Sequence, residues 1–202
     1  MAKPFLKWAG GKTQLLREIA LRLPDEFAHN ITTYVEPFLG GGAVFFYLQS
    51  KFKFENVYLS DINPELILCY NTIKNDVDSV IAELRKIQNK YLGKNEEERE
   101  KMFYKTRTTW NKDIGEKKRT PKQRAVRTAQ TIFLNRTCFN GLFRVNSKGG
   151  FNVPFGSYKN PRILDLDNLK SVSEALEGVT IEHRDYLNCK KNVKDSSVFV
   201  YF

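Results

Sequence analysis

Histidine and cysteine are scarce in this chain. Two histidines and three isolated cysteines, Cys69, Cys138 and Cys189, are spread over 202 residues without paired spacing. That argues against a disulfide framework and a Cys/His zinc site, with no metal expected, and makes a reduced cytoplasm the default location. Long hydrophobic runs are missing too. No apolar stretch approaches the roughly 20 residues of a membrane span, and Met1-Ala2-Lys3-Pro4-Phe5 lacks the apolar h-region of a signal peptide. Internal repeats and low-complexity linkers are also absent. The hydrophobic fraction of 41% and the aromatic fraction of 13% fit a folded chain with a real core.

The most informative shortage is of acid in one place. From Lys117 to Leu164 there are eleven cations and no carboxylate in 48 residues. Residues 71–164 carry 21 Lys/Arg against 9 Asp/Glu, whereas the remainder carries 12 against 14, so the net charge of +10 has a single source. A solvated basic face is one reading of such a run. A polyanion partner is the other, and the length of the acid-free stretch favours it.

What is present begins with Thr32-Thr33-Tyr34-Val35, a β-branched and aromatic run that predicts a buried strand. Glu36-Pro37-Phe38-Leu39-Gly40-Gly41-Gly42 follows, then the apolar helix text Ala43 to Leu48, with the helix expected to reach about Ser50. A strand, a glycine turn and a helix open a nucleotide-type pocket, because glycines let backbone N–H groups and a helix N-terminus approach a ligand closely. A tight turn that binds nothing has the same spelling. Asn56 to Ser60 reads as a second strand ending at Asp61, which lies 21 residues after Gly40. An acidic residue there meets a ribose hydroxyl in dinucleotide folds; the alternative is a cap for the helix that Asn63-Pro64-Glu65 begins. Gly11-Lys12-Thr13 invites a phosphate-loop reading, which fails because Leu6 stands where the first glycine belongs. Leu15, Leu16, Ile19 and Leu23 have core spacing for a helix closed by Pro24.

The basic middle is written as helix. Val77, Val80, Ile81, Leu84 and Ile87 form one stripe, and Glu96 to Asn111 carries Met102, Phe103 and Trp110 inward. A loop at Gly115 to Arg119 leads to Thr120-Pro121, a cap and first-position pair. The next helix is expected to bury Ala125, Ala129, Ile132 and Phe133 while Arg124, Arg127 and Thr131 face elsewhere. Two extended pieces, Thr137 to Asn146 and Phe151 to Gly156, flank the turn Ser147-Lys148-Gly149-Gly150 and predict a β-hairpin. Asn140, Arg144, Asn146, Lys148, Tyr158 and Lys159 stand there among Phe139, Leu142 and Phe155. Such a mixture serves base-edge contact and stacking. A helix over 166–176, a strand over Val179 to His183 leading to Arg184-Asp185-Tyr186, and a strand over Ser197 to Phe202 complete the chain.

Five blocks carry a resemblance. Lys7-Trp8-Ala9-Gly10-Gly11-Lys12, Glu36 to Gly42, Ser60-Asp61-Ile62-Asn63, Phe139 to Asn146, and Phe151 to Lys159 resemble the Dam-like (D12 class, alpha-group) DNA N6-adenine methyltransferases, in that family's order. The resemblance implies an α/β, Rossmann-like fold dependent on S-adenosylmethionine (AdoMet), with an inserted, mainly helical target-recognition domain containing a β-hairpin. It implies an AdoMet-binding core over 1–70 and 165–202 and a DNA-binding insertion over 71–164. Trp8 and Lys12 would line the AdoMet site, Glu36, Phe38, Gly40 and Gly42 would lie under its methionine part, Asp61 would hold the ribose, Asp185 and Tyr186 would flank the adenine, and Ile62 would belong to the same cofactor set. Toward double-stranded DNA, Lys7 would lie near a guanine, Phe139 and Asn140 would wedge into the duplex, and Leu142, Arg144 and Pro154 would read GATC. Asn146, Tyr158 and Lys159 complete the expected DNA face.

The expected reaction is methyl transfer to N6 of adenine after base flipping, by a protein acting on DNA as a monomer. No covalent nucleophile is required, since the sulfonium methyl is already activated. The cysteines stand in Leu-Cys, Thr-Cys and Asn-Cys contexts, unlike the proline-preceded cysteine common in C5-cytosine methylation. One departure is large. The family's Asp-Pro-Pro-Tyr motif is expected immediately after Phe202, so no catalytic residue is assigned within 1–202. A DNA-binding truncation without catalysis is therefore the competing expectation. An NAD-linked oxidoreductase would explain the glycine turn and Asp61 but not the basic segment.

Overall fold

The computed structural model describes residues 1–25, 27–116 and 118–202. Among them, β1 (Thr33–Glu36), β2 (Asn56–Asp61), β3 (Thr180–His183) and β4 (Val198–Val200) form a sheet of order β3-β2-β1-β4 with every pairing parallel. Val35 lies between Tyr58 and Val200, and Asp61 lies beside His183. Parallel strands must be joined by crossovers that cover the faces, so β1 is buried throughout rather than alternating. The chain leaves β1 toward β2 on one side and returns to its other side as β4. That reversal is the place where open α/β sheets bind ligands, outside the carboxyl ends of the strands. The Rossmann-like α/β class read from the sequence is the class observed.

The helices are α1 (Leu16–Ala20), α2 (Phe27–Asn30), α3 (Ala43–Gln49), α4 (Pro64–Leu92), α5 (Glu96–Lys112), α6 (Pro121–Thr137) and α7 (Leu166–Ala175). The first expected helix is shorter than its periodicity suggests. It is a 3-10 turn over Thr13–Leu15 followed by α1, which ends before Leu23 and Pro24, and Leu15 is exposed. Pro24 therefore does not close it. Helix α4 starts as expected: Asn63 accepts the N–H groups of Glu65 and Leu66, each at 3.0 Å, and Pro64 takes the first position. The cap is thus Asn63, which leaves Asp61 free of that duty.

Helix α4 runs through the expected boundary at residues 70–71. Its break comes at Asp76 (φ −157°, ψ 58°), whose carboxylate accepts the Ser79 N–H at 3.3 Å and restarts the helix. Leu66, Tyr70 and Ile73 are buried before that break and Val80, Leu84 and Tyr91 after it, where the Tyr91 ring meets Phe133 of α6 at 5.3 Å. The helical segment and the sheet share one core, in which Tyr34, Leu59, Leu84, Trp110 and Phe133 belong to a single cluster.

Reciprocal capping boxes open α5 (Asn95 with Glu98) and α6 (Thr120 with Gln123). Of the loop expected at Gly115 to Arg119, Lys117 lies outside the described residues.

Helix α6 departs from expectation. Arg127 and Thr131 were to face away from the core, yet both are buried along with Thr128 and Asn135. The helix is covered by α4 on one side and α5 on the other, and its polar side chains find partners there. Thr131 accepts the Trp110 indole N–H at 2.9 Å, and Arg127 meets Glu65.

The expected hairpin is present in reduced form. Bridges join Val145 to Phe151 and Cys138 to Phe155 in antiparallel sense, and the Asn152 N–H donates to the Arg144 carbonyl at 3.1 Å. No helix of the described residues is long and apolar enough to cross a membrane.

Candidate functional site

A cavity of about 310 Å³ opens at the carboxyl ends of β1, β2 and β4, at the reversal point of the sheet. It is walled by Trp8 to Lys12, by Glu36 and Phe38 to Val44, by Asp61, and by Tyr201 and Phe202. The glycine turn between β1 and α3 is a tight cradle. Gly40 (φ +48°) and Gly42 (φ +71°) are left-handed, and a Cβ on Gly42 would stand 2.6 Å from the Tyr70 hydroxyl oxygen. A side chain there would meet both strain and a clash. The Tyr70 hydroxyl also donates to the Gly40 carbonyl at 3.2 Å.

Two carboxylates face this cradle in different states. Asp61 is built into the turn: one oxygen accepts the Gly40 N–H and the other the Asn63 N–H, each at 2.9 Å. Each oxygen keeps a second lone pair. Glu36, at the end of β1, is 3% exposed and accepts the Tyr34 hydroxyl at 2.7 Å, and the Phe45 backbone also favours its charged form. Burial pushes its carboxyl up to about 8, those hydrogen bonds pull down less strongly, and Asp61 adds a further push upward. Burial also raises the Tyr34, Tyr70 and Tyr201 hydroxyls. The Lys12 ammonium, at the rim, donates to the Gly10 carbonyl at 2.8 Å. A cavity with acceptors in its walls and a buried acid without a cation suits a ligand rich in hydroxyl donors and positive charge.

Of the residues expected to hold a cofactor, Trp8, Lys12, Glu36, Phe38, Gly40, Gly42 and Asp61 line the cavity. Ile62, Asp185 and Tyr186 stand beside it instead. The Tyr186 ring stacks on Phe38 (5.2 Å, 28°), and Phe202 approaches the same ring at 6.3 Å. Asp185 accepts the Leu187 N–H at 2.9 Å and caps the 3-10 turn Tyr186–Asn192. The Ile62 side chain is exposed, while its carbonyl lies 2.9 Å from His183 Nε2.

Most of the residues expected to meet DNA lie around the turn that follows α6 and along the reduced hairpin. Phe139–Gly141 is a 3-10 turn in which Asn140 is left-handed (φ +54°), and Phe139, Leu142 and Val145 are exposed apolar side chains. Phe139 donates its N–H to the Pro154 carbonyl at 2.9 Å, which joins the turn to the returning strand. The Arg144 Nε donates to the Asn152 side chain at 2.9 Å. Asn146 shapes the hairpin tip, its side-chain oxygen accepting the N–H groups of Lys148 and Gly150. The Lys7 ammonium sits over the Tyr158 ring at 5.4 Å, and the Lys159 carbonyl receives Arg99 Nη1 at 2.8 Å. Lys7 thus joins the wall of the cavity to this face.

Sequence reasoning missed Asn135, Phe143 and Tyr34. Asn135 is wholly buried and binds Lys7 and Gly141; Phe143 stacks on Trp8 at 4.9 Å and 22°. For Asn135 the available signal was an amide following Ile132-Phe133-Leu134 in a helix. Among the described residues no group of three or more His, Cys, Asp and Glu is placed to hold a metal ion. Burial pushes the Cys69 thiol up to about 12 and Cys138 to about 11, so neither offers a thiolate nucleophile.

The family model described as "D12 class N6 adenine-specific DNA methyltransferase" matches residues 8–202. The Type II methyltransferase M.MjaIII of Methanocaldococcus jannaschii is 51% identical over 201 residues, which cover 99% of this chain and 68% of that protein. The Type II methyltransferase M1.LlaDCHI of Lactococcus lactis subsp. cremoris is 37% identical, with 99% of this chain and 64% of that protein covered. The DNA adenine methylase of Escherichia coli (strain K12) is 34% identical, with 97% and 62% covered. The chain therefore spans roughly two thirds of the length of these relatives.

Proposed function

The chain belongs to the D12 class of N6 adenine-specific DNA methyltransferases, and from that premise we propose that it supplies the AdoMet pocket and the sequence-reading surface of an enzyme methylating N6 of adenine in duplex DNA, within GATC. Enzymes of this class are generally AdoMet-dependent. The observation that carries the reading is the juxtaposition of an acid-lined glycine cradle with an acid-free basic segment through Lys7 and Trp8. In this reading residues 1–70 and 165–202 form the catalytic core and 71–164 the recognition segment, and the protein works as a monomer on cytoplasmic DNA.

AdoMet fits the donor set. Its ribose diol offers two donors to the outward lone pairs of Asp61, and its positive charges meet Glu36, the buried acid that has no cation of its own. Gly40 and Gly42 leave room for the methionine part, with Trp8, Lys12 and Phe38 around it. Ile62, Asp185 and Tyr186 take the adenine end, where the Phe38–Tyr186 stack must open to admit a ring. When bound, AdoMet supplies an electrophilic methyl on a sulfonium, which needs no protein nucleophile. The chain's work is then alignment and exclusion of water. Phe139 and Asn140 offset the few kcal/mol of unstacking by wedging into the duplex, and Leu142, Arg144 and Pro154 read base edges. Acceptors for the target amine are assigned to no residue of 1–202.

Calorimetric titration with AdoMet and with NAD, together with gel shifts on GATC and scrambled duplexes, tests the proposal. AdoMet binding and a preference for GATC are expected. NAD binding in place of AdoMet would overturn the cofactor, and equal affinity for both duplexes would overturn the target.

A further inference from the structure

The cavity and the DNA-facing turn are joined by two ties, from the adjacent Trp8 and Lys7 to Phe143 and Gly141. Trp8 lines the cavity and lies against the glycine cradle: a Cβ on Gly40 would stand 3.0 Å from Trp8 Cδ1, and one on Gly41 would stand 3.4 Å from Trp8 Cβ. The same indole stacks on Phe143 at 4.9 Å and 22°. Phe143 in turn packs edge-on against Phe151 of the hairpin (5.7 Å) and Trp110 of α5 (6.2 Å). The second tie is Asn135. Its side-chain oxygen accepts the Lys7 N–H at 2.8 Å, and its amide nitrogen donates to the carbonyls of Lys7 and Gly141, each at 2.9 Å. The Lys7 stem fills the place a Cβ on Gly141 would take, 2.2 Å from Lys7 Cδ. Lys7 and Trp8 are thus fixed to the cradle on one flank and to Gly141 and Phe143 on the other.

We propose that Phe143 is a positioning residue that couples occupancy of the cofactor cavity to DNA binding, by transmitting the position of Trp8 to the segment that carries Leu142 and Arg144. The inference rests on the reading above, that the cavity takes AdoMet and the basic face takes duplex DNA. A ligand in the cavity restricts Trp8, and a restricted Trp8 holds the Phe143 ring. The backbone of the neighbouring residues is then ordered before DNA arrives, so less ordering remains to oppose binding. Linkage makes the effect reciprocal: DNA must tighten the cavity's ligand by the same factor. Lys7 contributes from the adjacent position, but its ammonium is itself expected on DNA. Phe143 is therefore the residue at which coupling separates from contact.

The test measures affinities rather than turnover. Anisotropy of a labelled GATC duplex is titrated with the protein, with and without saturating sinefungin, a non-transferring AdoMet analogue, and sinefungin binding alone is followed by calorimetry. In the wild type, sinefungin should tighten duplex binding by at least about fivefold. Phe143→Leu and Phe143→Met fill the space without a flat ring. Each should keep both single-ligand affinities within about threefold while the coupling falls below about twofold, and Phe143→Tyr should restore it. A merely structural role would weaken both ligands and leave their ratio unchanged. Wild-type coupling below about twofold, or full coupling in a folded Leu or Met variant, overturns the inference and leaves the proposed function standing. Failure of the wild type to bind sinefungin at all would bring down the function reading, and the inference with it.

Discussion

Glu36 and Arg127 are both ionisable side chains held out of water, and the molecule treats them in opposite ways. Arg127 in α6 is 2% exposed and fully matched. Its Nε and Nη2 donate to the two oxygens of Glu65, each at 2.9 Å, its Nη1 donates to the Trp110 carbonyl, and the Trp110 ring lies 3.7 Å beneath it. Glu36 in β1 is 3% exposed and, among the described residues, is met by the neutral Tyr34 hydroxyl and by no cation. An arginine neutralised by the protein has a structural task. A glutamate left without a counter-charge is held protonated by its burial, and a cation arriving beside it would favour its ionised form. The same contrast holds regionally: the basic segment borrows a carboxylate from the first turn of α4 for its buried cation, and the carboxyl end of β1 borrows no cation from the described residues for its buried acid.

The contrast can be broken at four places. Arg127→Met leaves the largely buried Glu65 with Arg119, at 3.9 Å, as its remaining cation among the described residues. A loss of about 3–5 kcal/mol of unfolding free energy is expected in urea titrations; a loss below about 1 kcal/mol would make the pair dispensable.

Glu36 gives the next largest effect, and it depends on pH. The folded protein holds a proton up to about 8 that the unfolded chain releases from 4.5. Stability should therefore be highest below 4.5 for this group and fall as pH rises to about 8. At about 1.4 kcal/mol per unit the fall amounts to a few kcal/mol. Glu36→Gln should flatten that slope in melting curves taken across the range while weakening AdoMet. An unchanged slope would show that the acid is ionised in the fold.

Asp61→Ala removes the acceptor for the Gly40 and Asn63 N–H groups as well as the inferred ribose contact. A drop in AdoMet affinity worth about 1.5–3 kcal/mol is expected, with the fold retained; calorimetry showing wild-type affinity would refute the role. The smallest effect belongs to Arg144→Ala in duplex binding. It should relax discrimination at one base position by about 1–3 kcal/mol. A uniform loss on all duplexes would make Arg144 a phosphate contact.

The cradle was legible because each part is local. A strand, a glycine turn and a helix lie within Thr33 to Gln49, and the spacing from Gly40 to Asp61 is a property of one βαβ unit. The Asn63-Pro64 start and the Thr120-Pro121 start were legible for the same reason, since caps are decided within a turn. Arg127 was misread because its partner Glu65 is 62 residues away, and a charged residue in a periodic pattern defaults to the solvent side. Asn135 was missed on the same ground, with Lys7 at a separation of 128 residues. Leu15 and Pro24 failed differently: apolar spacing alone does not sustain a helix where little core lies beneath it, and α1 has no fully buried residue.

The sequence by itself determined the class of fold, the family, the place of the glycine cradle and the region that carries the positive charge. The family follows from the resemblance carried by five motif blocks; the rest follows from periodicity, turn chemistry and composition, which act over a few residues or are simple sums. Only the tertiary structure decided which charges are matched and which are left open. It closed Glu65 onto Arg127, left Glu36 beside Tyr34 without a cation, and set Trp8 between the cradle and Phe143. Burial and pairing across more than 60 residues are properties of packing, and packing exists only when the distant parts of the chain have met.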